Sequence, residues 1–114
     1  QARGLETLIE MLNPSARHKF LKQLDDDLTT RLAEARTLAA KQMTDSDKQA
    51  MSRAAHALAG LFATSYVPAA HHKALHLERI VFSAPRSEVI ALLDTLGQDV
   101  IHIKNTIHLL KAKK

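Results

Sequence analysis

The decapeptide Arg53-Ala54-Ala55-His56-Ala57-Leu58-Ala59-Gly60-Leu61-Phe62 places one titratable imidazole among small and apolar residues that favour a helix. Two readings of His56 stand side by side. In one, it is a hydrogen-bonded structural histidine with no chemistry. In the other, its surroundings are bare so that another protein's active site can reach it. On a helix the same-face neighbours of position 56 are Ser52, Arg53, Ala59 and Gly60, with Ala63 a turn further. Leu58, Leu61 or Phe62, and Ala55, turn toward a core, so His56 is expected on a shallow outward patch. A solvated imidazole is partly neutral and nucleophilic at cellular pH. A ring of short side chains gives such a nucleophile in-line access to an electrophile.

Other groupings carry less chemistry. His72 and His76 have the i, i+4 spacing that puts two imidazoles on one helix face, with His71 about a quarter-turn away. No glutamate completes a zinc-protease arrangement, and the chain has no cysteine, so no metal site is expected. His102 and His108 are six apart and do not face each other, and His18 is expected in solvent. Asp25, Asp26 and Asp27 are consecutive, so they fan around a helix, whereas a general acid/base pair needs two carboxylates aimed at one point. No glycine-rich phosphate loop and no Ser/His/Asp set is present.

The elements that must position His56 are helices. Glycine and proline number three each, alanine and leucine are abundant, and the prolines act as punctuation. Leu5, Leu8, Ile9 and Leu12 suggest a short entry helix. Asn13-Pro14 is an N-cap followed by proline at the first helical position. From there Phe20, Leu21, Leu24, Leu28, Leu32, Ala35 and Leu38 or Ala39 mark a long amphipathic helix over about 14–43. Ser46 and Gln49 have capping-box spacing and open a second long helix, to about Ser65, that carries His56. Pro68 starts a third, ending near Ser83. Pro85 starts a fourth, with Val89, Leu92, Leu93, Leu96, Val100, Ile103, Ile107 and Leu110 as its apolar face. Gly97 weakens the boundary there. Short connections favour antiparallel neighbours. The expected fold is all-α: an up-and-down antiparallel four-helix bundle with a short extra N-terminal helix, one domain over 1–114.

The whole chain sets bounds. Its 114 residues suit one small domain with a single core. The formal net charge is +4, concentrated in Lys111, Lys113 and Lys114, with no basic stripe and only Phe20, Phe62, Tyr66 and Phe82 as aromatics, so nucleic acid is not an expected partner. No apolar run approaches the ~20 residues of a membrane span, and no membrane contact is expected. The absence of cysteine fits a reducing compartment. A start at Gln1 reads as a piece of a longer protein.

His56-Ala57-Leu58-Ala59-Gly60 resembles the H-x-L-K-G motif of the histidine-containing phosphotransfer (HPt) domains of multistep phosphorelays. The run Ser52-Arg53-Ala54-Ala55-His56-Ala57-Leu58 is similar to the family's usual approach to its histidine, and Ala63 sits where a small residue is common. Leu77-Glu78 falls where the family's next helix commonly reads L-E, and residues 20–40 are similar to its preceding helix. The resemblance covers about residues 5–110, but its strict element spans five positions. Two departures stand out: the family lysine is Ala59, and a glycine near the end of the same helix is replaced around Tyr66.

The resemblance implies a four-helix bundle with the histidine on its second long helix, and phosphoryl relay between receiver-domain aspartates through His56. The chain would then be a phosphotransfer intermediate rather than a stand-alone enzyme. It would carry no cofactor, the Mg2+ belonging to the receiver. Its partners would be response-regulator receivers and a hybrid sensor histidine kinase, in whose cytoplasmic C-terminal part it could sit, as a monomer. Arg53, Ala59, Gly60 and Ala63 would support or border the site, Gly60 by admitting the receiver backbone. Arg53 ranks first to replace the absent lysine, ahead of His71, His72 or Lys73. Leu61 or Tyr66 could supply an apolar docking patch. The alternative is a degenerate docking or dimerisation module that binds receivers without carrying phosphate.

Overall fold

The computed structural model of the chain describes residues 2–112, so the expected basic tip is represented by Lys111 alone, and Lys113 and Lys114 lie outside the described residues. It is all-helical, with five helices: α1 (Ala2–Glu10), α2 (Pro14–Ala39), α3 (Asp45–Thr64), α4 (Pro68–Ile80) and α5 (Arg86–Ala112). The overall extents are 46 × 20 × 17 Å, as long as its longest helices, each of which spans roughly 40 Å at 1.5 Å per residue.

Each boundary has a local cause. Asn13 caps α2 by accepting the Ala16 N–H at 2.8 Å, with Pro14 behind it, as expected. The helix stops at Ala39, earlier than the expected 43, and its open C-terminal carbonyls are partly satisfied by Arg86, which donates to the Ala39 carbonyl at 2.7 Å. The expected Ser46–Gln49 box is not the one that forms. Thr44 accepts the Asp47 N–H at 3.1 Å while Asp47 accepts the Thr44 N–H at 3.0 Å. Thr44 has the extended backbone of a cap, so Ser46 already lies inside the helix. The Thr44 N–H, and then Lys41, hold the Asp47 carboxyl below its ordinary range.

The far end of α3 closes in a Schellman motif. The Val67 N–H reaches the Phe62 carbonyl at 3.0 Å and the Tyr66 N–H reaches Ala63 at 3.1 Å. The residue that must turn left-handed in this motif is Tyr66, with φ of 61°. Residue 66 is thus a position where the backbone favours glycine, and a tyrosine there costs about 1 kcal/mol or more of strain. Helix α4 ends at Ile80, short of the expected Ser83, in a turn where the Ser83 and Ala84 N–H groups return to the Ile80 carbonyl. Helix α5 runs through Gly97 without a break.

Helix α3 packs against α2 and α4, α5 packs against α2 and α4, and α1 touches α5. One contiguous core results. Helix α2 contributes Leu21, Leu24, Leu28, Leu32, Ala35 and Ala39, and α5 contributes Val89, Leu93, Leu96, Val100, Ile103, Ile107 and Leu110. These are the expected stripes, save that Phe20, Leu38 and Leu92 are only partly buried. The acidic triplet fans as expected. Asp25 pairs with Lys104, Asp26 with Lys22, and Asp27 accepts from Gln23.

Candidate functional site

Helix α3 buries Met51, Ala54, Ala55, Leu58, Ala59 and Phe62, leaving a strip that contains Arg53, His56, Gly60 and Ala63 exposed. His56 sits on this strip with its side chain 72% exposed. Helix α4 borders one flank. Its Glu78 is held twice by residues one turn apart: Ser52 donates to the Glu78 backbone carbonyl at 3.3 Å, and the Glu78 carboxylate lies against the His56 ring. His56 Nδ1 is 3.2 Å from each carboxylate oxygen. An ionised carboxylate can only accept, so Nδ1 carries the proton, and whenever the ring is neutral its lone pair is on Nε2. Ser52, Arg53, His56, Ala57 and Glu78 together line an open cavity of about 310 Å³.

Gly60 lies one turn beyond His56, and a Cβ built there would meet nothing within 4 Å. No packing inside the chain demands glycine at this position. Ala59 corrects an expectation. It is 2% exposed and faces α4, so it is a core residue rather than part of the patch around His56. His71, on α4, lies against the same turn and donates from Nδ1 to the Ala59 carbonyl at 2.8 Å. The flank of α3 that carries Ala59 is therefore closed by α4.

The remaining predicted cations divide. Lys73 pairs with Asp99 at 2.8 Å, which directs it to α5 and away from His56. His72 is exposed, and no bond places it beside His56. Arg53 lines the His56 cavity and also a neighbouring one shared with Arg31, Glu34, Leu38, Ala50, Ala54 and Ala57, between α2 and α3. Leu61 is partly buried against the core, and Tyr66 sits at the distal end of α3, roughly 15 Å along the helix from His56 and packed on Gly4 of α1. Neither borders the His56 cavity. Among the described residues, no three His, Cys, Asp or Glu side chains gather where they could hold a metal ion, so the His72–His76 spacing gains no further ligand. No described helix is long and apolar enough to cross a membrane.

Nothing in the spacing along the chain pairs Glu78 with His56, 22 residues away. The contact becomes visible only when α4 folds back on α3. Compared with protein-family models, with curated proteins and with solved structures, the chain matches none.

Proposed function

We propose that the chain is a histidine phosphotransfer domain in which His56 Nε2 accepts a phosphoryl group from a receiver-domain aspartate and passes it to a second receiver. The observation that supports this reading most is the pairing of an exposed imidazole with Glu78 through Nδ1. It leaves Nε2 as the nucleophilic nitrogen without any proton having to be removed first. Attack forms an Nε2–P bond and breaks the P–O bond to the aspartate, which leaves as a carboxylate. The ring then carries a positive charge, with Nδ1–H facing the Glu78 carboxylate. Return of the group to another aspartate reverses these bonds. Magnesium and most of the charge stabilisation belong to the receiver.

The ring of packing pairs from α2 through α5 supports the finer architecture that goes with this function, an up-and-down four-helix bundle with α1 as an addition. Exposed Gly60 and Ala63 leave low relief for a receiver to approach. Receivers and a hybrid histidine kinase are the corresponding partners, with the domain acting as a monomer in the cytoplasm.

The test is transfer of label from a panel of phosphorylated receivers to the wild-type chain and to His56→Gln. Acid-labile, alkali-stable label on the wild type that is lost in the variant is the expected result. Receiver binding without label would favour the docking module that carries no phosphate. Neither label nor binding would remove the phosphorelay reading.

A further inference from the structure

A phosphoryl group on His56 brings negative charge to a ring that already faces the Glu78 carboxylate, 3.2 Å from Nδ1. A cation beside the ring would offset that charge. The flank toward α4 offers none of the usual kind, because Ala59 is buried under His71 and Lys73 is committed to Asp99. The other flank, toward α2, presents Arg53. It precedes His56 by three residues, a spacing that puts the two side chains on one face, and both line the same cavity.

Arg53 is also uncommitted. It makes no hydrogen bond or ion pair with another described residue. The nearest acid on α2 that shares a cavity with it, Glu34, is taken by Arg31 at 3.0 Å. By contrast Arg17 is bonded to the Ile9 and Leu12 carbonyls, and Arg86 to that of Ala39. A free guanidinium beside an exposed nucleophile suits an oxyanion, which it can grip with two parallel N–H donors.

We infer that Arg53 holds the phosphoryl oxygens on His56 Nε2 from the α2 side of α3. The inference rests on His56 being the phosphoryl carrier, and its test separates the two. The full chain is phosphorylated with phosphoramidate, a small donor that needs no partner. The titration of the phosphoryl group is then followed by phosphorus NMR in wild type, Arg53→Gln, Arg53→Lys and Lys19→Gln. The last removes a like charge from an exposed position near the start of α2.

In Arg53→Gln the phosphoryl titration moves to higher pH, because a lost cation favours the protonated group. Uptake from phosphoramidate falls roughly ten-fold, the value of one charge-assisted hydrogen bond. Arg53→Lys recovers part of both, and Lys19→Gln changes neither. Equal titrations in wild type and Arg53→Gln, or an equal shift in Lys19→Gln, would overturn the assignment while leaving the relay reading intact. The Arg53-dependent shift without transfer from any receiver would uphold Arg53 and sink the relay. No phosphorylation of His56 by phosphoramidate would overturn both.

Discussion

Replacing Glu78 by Gln keeps an acceptor within reach of His56 Nδ1 but removes its charge. The neutral ring then loses much of its bias toward the tautomer with Nε2 free, and the phosphorylated ring loses the carboxylate facing it. Phosphoryl uptake is expected to fall about ten-fold. Nitrogen NMR of the ring, which reads the tautomer ratio directly, should shift toward Nε2–H in the same variant; an unchanged ratio would mean that Glu78 merely packs there. Gly60 gives the complementary result. Its Cβ position is open, so Gly60→Ala should stabilise the chain by about 0.5–1 kcal/mol through helix propensity alone. Gly60→Leu should leave the fold intact yet slow transfer from receivers, since the added bulk stands one turn from His56. Equal transfer rates with Leu at 60 would show that no partner backbone approaches there. Both residues also mark the limit of sequence reading at this scale. His56, Gly60 and Ala63 were legible as an outward strip because helical spacing determines what shares a face. Ala59 was not, since one small residue at the strip's edge goes to whichever neighbour covers it, and that neighbour is α4.

At the scale of the elements, the helix count, the caps at Asn13 and the proline starts follow from local chemistry and were readable in advance. The start of α3 was not, because two overlapping capping-box spacings compete and only backbone conformation selects Thr44 and Asp47. That box makes a pH-dependent prediction. Folding holds the Asp47 carboxyl below the ordinary aspartate value of 3.8, chiefly through the Thr44 N–H. Its contribution to stability is therefore fully present above that value and fades as the pH falls through the lower folded value. Wild type should exceed Asp47→Asn in denaturant midpoint near neutrality, and the gap should shrink on acidification below pH 3.8. A gap that stays constant would detach the box from charge. Thr44→Ala should cost about 1 kcal/mol near neutrality, and part of that cost should also fade on acidification, since the Thr44 side chain helps hold the Asp47 carboxyl low.

At the scale of the whole molecule, a single core runs the length of the rod, so the helices are expected to unfold together. Leu28 is fully buried midway along α2. Leu28→Ala should cost about 2–5 kcal/mol in urea unfolding with an unchanged slope, and with helix loss and tertiary signals coinciding. A second transition would show that α1 or the α4–α5 end melts separately. Such a separation would matter for the proposed site, because the His56 strip depends on α4 for Glu78 and on α2 for the wall behind Arg53.

The contact between Gly4 and Tyr66 has a consequence for descent. A Cβ at position 4 would lie 2.5 Å from the Tyr66 Cβ and Cγ, and the three nearest atoms it meets all belong to that tyrosine. The left-handed corner at position 66 is also where glycine would be the unstrained choice. The two sites therefore trade constraints. A lineage that acquires glycine at 66 relaxes the corner and at once removes the three atoms that a Cβ at position 4 would meet first. A lineage that first enlarges position 4 passes through a chain whose entry helix is pushed off the corner. Sister sequences with a side chain at position 4 are therefore expected to carry a residue without Cβ and ring at 66.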